Sequence, residues 1–375
     1  MSWTWFRGTG AKALLAVASV VGTAAAVSAA TITPGNFLVY RVGDGTAPTV
    51  NTNAAAVDIL EFSPSGALVQ TISMPSSGAA AFTDTFNATS DGILQVSSNG
   101  AYVTYAGYRR DAGLSSPDSQ SATTTNRVFA RLNVSTGVVD ASTAATVPNQ
   151  VRGLATDGTN YWISDSSGSP RYLAYGGTGN GAVLTNSISG SVATRQVSVV
   201  DGKLYASITS GNPGSGIYSF NPSLPTTGTG TTVTSMVSTT GSFQGFMLFD
   251  LDAGVAGVDT LYAVDITGNT LNKYSLVSGT WTLNNTVAAG GMQNLGGYAI
   301  GSTVVLYGSQ FTKVATITDS AGYNALNNGA LVDVAGVTAG ANYNFKGIAV
   351  IADIPEPSSL TLLSLAGLAL LRRRR

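Results

Sequence analysis

The chain contains neither cysteine nor histidine. Without cysteine an oxidising destination is permitted but its cross-link is unused, so stability must come from core burial and hydrogen bonds. Without histidine, Ser-His-Asp and Cys-His nucleophile systems, the usual zinc sites and His-ligated haem are all excluded together. Glutamate is almost missing as well: Glu61 is the only one ahead of Glu356. Charged residues make up only 10% of the chain, and no window keeps apolar residues at helical spacing for three turns. Disorder does not follow from this poverty of charge, because 44% of the residues are hydrophobic and disordered chains are typically charged and poor in apolar residues.

The charge that is present is unevenly placed. Setting aside Arg7, Lys12 and Arg372 to Arg375 leaves 12 of the 18 basic residues against all 19 acids, so the body carries −7 rather than −1. A mildly acidic body without basic clusters has no footprint for nucleic acid, whose binding rests on Lys and Arg neutralising phosphates.

Both termini read as address labels. Met1 to Lys12 holds Arg7 and Lys12 with no acid, Ala13 to Val27 is apolar and small, and Val27-Ser28-Ala29 or Ser28-Ala29-Ala30 offers small residues before a cut. Residues 1–29 are therefore expected to be a secretory signal peptide, residues 30–353 the folded body and residues 354–375 a separate C-terminal signal. That last segment opens with Pro355-Glu356-Pro357, which no helix or central strand runs through. Fourteen uncharged residues follow, Ser358 to Leu371, and then Arg372, Arg373, Arg374 and Arg375. As a helix the uncharged stretch spans roughly 21 Å at about 1.5 Å per residue, short of a hydrocarbon core of about 30 Å. The arginines supply a cytoplasmic stop that length alone does not.

These three parts, in this order, resemble the PEP-CTERM sorting domain of exported bacterial proteins. The resemblance implies a short transmembrane helix, a transient stay in the inner membrane and cutting near Pro-Glu-Pro by an exosortase-type membrane protease. It further implies delivery to the outer surface or extracellular matrix of a Gram-negative-type bacterium. It supplies an address and no activity.

The body is written in Gly, Ser, Thr, Val, Ala and Tyr, with apolar runs of four to seven residues between turn signals, which is strand composition. A polar residue, Gly and an apolar run recur at Arg152-Gly153-Leu154, Gln244-Gly245-Phe246 and Lys346-Gly347-Ile348. A tight turn into an aromatic strand recurs at Asp157-Gly158, Asp201-Gly202 and Asp259-Thr260. The spacing predicts an all-β, β-propeller-like fold of about six blades, near 346–353 with 36–76, 90–145, 150–190, 194–238, 243–288 and 293–340. Seven blades or a pair of β-sandwiches are the alternatives. In this scheme the last strand pairs with the first and closes the ring, removing exposed sheet edges.

Carboxylates are the only acid and base chemistry left. Asp165 and Asp265 end equivalent strands, so a glycan-active pair is one expectation and a pair of turn-capping residues the other. Asp250 and Asp252, with Asp259, are candidate calcium ligands, although the spacing fits no EF-hand loop. No other cofactor is implied. Arg109-Arg110 opens a long loop over 109–126 and is a candidate contact for acidic polysaccharide. Trp162 and Trp281 are weighed between stacking on sugars and packing between blades. The expected role is a non-enzymatic surface module touching polysaccharide or another surface protein; an Asp-dependent glycan enzyme and a calcium-stabilised adhesin are the rivals.

Overall fold

The computed structural model describes residues 27–352, apart from positions 49, 167, 186 and 189–193. The C-terminal sorting residues and nearly all of the expected signal peptide lie outside these. Among the described residues every regular element is a strand, and no helix is long and apolar enough to cross a membrane. Val27–Ser28, at the end of the expected leader, pairs with Val138 and Val139 on a sheet edge.

The turn chemistry acts where the sequence places it. Asp201 and Gly202 both take positive φ, 47° and 67°, between the strands Thr194–Val200 and Lys203–Ile208. This two-residue turn matches the right-handed twist of its strands and needs positive φ at both central positions. Hairpins of varied length, the one before Thr260 a loop over 250–259 rather than the tight turn expected at Asp259-Thr260, build four separate antiparallel sheets of four strands, each in chain order. They begin with Val151–Thr156, Thr194–Val200, Phe243–Phe249 and Asn294–Ile300.

A fifth sheet has ten strands and holds the rest. Asn344–Val350 pairs with Phe37–Val42, aligning Phe37 with Val350 and Val39 with Ile348, so the end of the body completes the sheet begun by its start. Five sheets are fewer than the six units the spacing predicts, and the reason is local. Thr83–Thr85, between the first two expected units, pairs with Ala54 to Ala56 on one side and with Tyr108 on the other. The first two expected units are thereby fused into one hydrogen-bonded sheet.

Innermost strands touch in turn: Gln95–Val96, Val151–Thr156, Thr194–Val200, Phe243–Phe249, Asn294–Ile300 and Asn344–Val350, which returns to Gln95–Val96. The arrangement is propeller-like. Val151–Thr156 is buried along its whole length, whereas the outermost Thr280–Ala288 is mostly exposed and rich in Thr and Asn. Polar outer edges discourage strand addition by other chains.

The core lies between the faces of adjoining sheets. Trp162 packs with Val197, Leu204 and Phe220 of the next sheet, and Tyr262 likewise with Leu295, Leu306 and Ile317 of the sheet after its own. Phe37 stacks on Tyr307 at 4.8 Å across the closing joint. Trp162 also donates through Nε1 to Pro225 O at 2.8 Å, and Leu204 N donates to Ser223 O, so the Pro- and Thr-rich excursion 221–232 is tied to the core.

Candidate functional site

The recurrent polar-Gly unit is a β-bulge in the innermost strands. Register breaks between Val151 and Leu154, between Phe243 and Phe246, and opposite Lys346-Gly347. Glycine is needed because the next sheet passes close by: a Cβ on Gly245 would stand 2.8 Å from Asn294 Cα, and one on Gly153 3.1 Å from Arg195 O. A fourth bulge, between Thr194 and Val197, carries Arg195-Gln196 in place of the pair. A search keyed on glycine therefore misses it.

Serines on the second strands stitch these bulges together. Ser207 Oγ accepts from Gln196 N at 3.0 Å and donates to Gln244 O of the next sheet at 2.7 Å. Ser164 does the same between Gly153 N and Arg195 O, and Ser309 donates to Lys346 O. Val264 stands in the corresponding place of the remaining sheet, where Gly245 N reaches Gln293 O directly at 3.1 Å. Backbone groups freed by each bulge are thus re-used between sheets, as buried polar groups require.

Each bulge directs a long polar side chain toward the axis region. Lys346 Nζ donates to Asp84 at 2.9 Å, Asp91 at 2.6 Å and Thr85 O at 2.7 Å, with all three side chains of the cluster buried. Burial and the neighbouring Asp91 charge push the Asp84 carboxyl well above the usual carboxylate range, against the pull of Lys346. Burial alone would lower Lys346, but the two carboxylates outweigh it and raise it. Gln150 Nε2 reaches the other oxygen of Asp91 at 3.4 Å, and Gln244 Nε2 donates to Thr89 O at 3.0 Å.

Beside this cluster, on the face where the innermost strands begin, lies an open cleft of about 700 Å³ lined by 118–123, Arg127, Thr146, Pro148 to Gln150, Ser166 and Asn180. One wall is the long loop read from the sequence as 109–126. Buried Arg127 holds it, donating to Asn149 O at 2.8 Å, Thr125 O at 2.6 Å and Gln120 O at 3.0 Å. At the opposite end of the axis a cavity of about 270 Å³ is lined by the far ends of innermost strands, including Val96, Val200, Leu248 and Ala352.

The residues singled out from the sequence fall as follows. Asp265 accepts from Thr267 N and Gly268 N, at 3.0 and 3.2 Å, inside its own turn, and from Ser242 N at 3.0 Å just ahead of the neighbouring strand. Asp165 is buried and paired with Arg171 at 2.8 Å. Asp252 accepts from Gly254 N, and Asp259 from Leu251 N and Asp252 N, while Asp250 is exposed. Among the described residues no group of three or more acidic side chains gathers where a metal ion would sit. Arg109 donates to Ala81 O and Ala141 O, and Arg110 to Ser115 O. Trp162 is core, whereas half-buried Trp281 lines a cleft of about 340 Å³ with Tyr205 and Lys203 on the other face. Pro355, Glu356, Pro357 and Arg372 to Arg375 lie outside the described residues.

No curated relative matches the chain. Among solved structures, a chain of the nidogen/laminin complex is similar with TM-score 0.48 and 12% identity, covering 84% of this chain and 98% of that one. TolB from Acinetobacter baumannii follows at 0.46 and 11%, covering 84% and 66%. The periplasmic gluconolactonase of Pseudomonas aeruginosa gives 0.44 and 12%, covering 79% and 82%. At such values these likenesses carry no argument about activity or ligand. The C-terminal segment is different: residues 353–375 match the family model of the PEP-CTERM protein-sorting motif, and the chain ends in that motif, the sorting signal of an exported protein.

Proposed function

We propose that the protein is a six-bladed, non-catalytic binding module of the cell exterior, carried there by its tail, and that its ligand is polysaccharide held in the cleft beside the axis. The blade count takes the ten-stranded sheet as two blades bridged by Thr83–Thr85, a reading supported by the six innermost strands that touch in a closed cycle. The signal peptide, the brief inner-membrane stage and trimming by an exosortase-type protease belong to the same proposal. One observation carries the ligand: besides Asp118 and Arg127, the polar side chains lining the 700 Å³ cleft are amides and hydroxyls, among them Gln120, Ser121, Asn149, Gln150 and Asn180. Such neutral groups both donate and accept, as sugar hydroxyls demand. The commitment of Asp165 and Asp265 to a salt bridge and a turn favours a binding role over a hydrolytic one.

Affinity electrophoresis of the full-length protein through gels containing host exopolysaccharide is the test. Retardation is expected, and the double variant Gln150→Ala/Asn180→Ala is expected to weaken it about tenfold with little change in Tm. Retardation identical in both proteins overturns the cleft reading. For the address, deletion of Arg372 to Arg375 is expected to leave the tail uncut and the protein with the inner membrane; identical fates for both forms overturn it.

A further inference from the structure

Two of the axial side chains are not accounted for by the architecture. Arg152 and Arg195 occupy the same bulge position in neighbouring innermost strands. Arg152 is 8% exposed; its Nη1 donates to Thr194 O at 3.2 Å, and its buried Nε has no partner. Among the described residues the Arg195 side chain donates no hydrogen bond and makes no ion pair, and its Nε is likewise buried and unpartnered. Guanidinium donors are expensive to bury unsatisfied.

The carboxylates that would neutralise them are taken. Asp91 is held by Lys346 and Gln150, Asp84 by Lys346, and Asp165 by Arg171. Arg152, Arg195 and Lys346 outnumber Asp84 and Asp91, and Asp165, the other acid acting on Arg152, is bound to Arg171, so one formal positive charge is left over. Burial, and next the repulsion from Arg152, bring the Arg195 guanidinium down to about 10, consistent with two like charges held near each other.

We infer that Arg152 and Arg195 form an oxyanion subsite that takes the carboxylate of an acidic sugar, such as a uronate, entering from the adjoining cleft. This rests on the cleft reading above and narrows it to acidic glycans. The link between cleft and subsite is Gln150, which lines the cleft, bonds Asp91 and lies two residues before Arg152. A planar carboxylate suits guanidinium forks, whose donors it meets in pairs. A single surplus charge also favours a monoanion over a phosphate dianion.

The experiment is calorimetric titration of the full-length protein with trigalacturonate and with its fully methyl-esterified counterpart, in which each carboxylate is a neutral ester. The acidic form is expected to bind at least tenfold tighter. Arg195→Gln should erase that preference by weakening binding of the acidic form, and Arg195→Lys should restore part of it. Equal binding of both oligomers to the unaltered protein, or an Arg195→Gln variant that still prefers the acid, overturns the subsite while leaving the cleft standing. Binding of neither oligomer overturns the cleft and the subsite together. Displacement of trigalacturonate by inorganic phosphate at lower concentration than by galacturonate overturns the carboxylate assignment.

Discussion

Lys346, in the final strand, donates to Asp84 at 2.9 Å across 262 positions of sequence. The contact lies where the end of the body meets its beginning, and the same ammonium also holds Asp91 at 2.6 Å. Replacing Lys346 by Met keeps most of the stem and leaves two buried carboxylates unpaired. A loss of about 3–5 kcal/mol is expected, as for other broken buried pairs, and urea unfolding measures it. Adding Asp84→Asn and Asp91→Asn should return part of the loss; no return would show that packing of the lysine stem sets the stability.

The pH dependence of stability has two limbs. The Asp319 carboxyl feels burial first, which raises it, but hydrogen bonds from Lys273 at 2.7 Å and Tyr262 at 2.6 Å prevail and hold it below the usual range. A depressed folded value gives stability that is present above the unfolded value, about pH 4, and disappears as pH falls through the folded one. Raised groups act oppositely: stability linked to Lys346 is full below about pH 10.4 and disappears as pH rises through its higher folded value. Denaturation midpoints should therefore fall at both extremes. Asp319→Asn should flatten the acid limb alone, and an unchanged slope there would refute the assignment.

Ser207→Ala should cost about 1–3 kcal/mol, the cost of stranding buried partners, because Gln196 N and Gln244 O lose the hydroxyl between them. Thermal unfolding reads the loss. A neutral effect would mean that the two backbone groups find each other, as Gly245 N and Gln293 O do beside Val264.

Arg127→Lys exchanges a three-carbonyl clamp for a point charge. The loop 109–126 is expected to become the first site of limited proteolysis and polysaccharide retardation to fall several-fold. Protection equal to that of the parent protein would show that Arg110 and the Ser/Thr turns hold the loop unaided.

Trp162→Ala should remove about 3–5 kcal/mol and also release Pro225 O, exposing 221–232 to protease. Trp162→Phe keeps most of the packing but not the hydrogen bond. If it leaves 221–232 as protected as before, the indole N–H is not what holds that excursion.

Strand content, propeller-like order and the closing pair of strands were legible because they rest on local composition and turn chemistry, as at Asp201-Gly202 and in the recurrence of Gly153, Gly245 and Gly347. The fusion of the first two units was not, since Thr83–Thr85 is three residues long and carries no pattern of its own. The axial cluster was half visible. Arg152, Gln244 and Lys346 stood in the recurring unit, but their meaning depends on Asp84 and Asp91, whose approach to Lys346 no spacing discloses. Arg195 escaped because Gln196 replaces the glycine. The cleft rests on Arg127 bonding three carbonyls, a property of the folded backbone rather than of any motif.

The described chain leaves the fold at Ile351 and Ala352, which border the small cavity at the end of the axis opposite the bulges. The sorting segment is thus spliced to the hub and not to the rim. Loss of the residues beyond Ala352 would therefore take no spoke from the wheel, since its last strand ends at Val350.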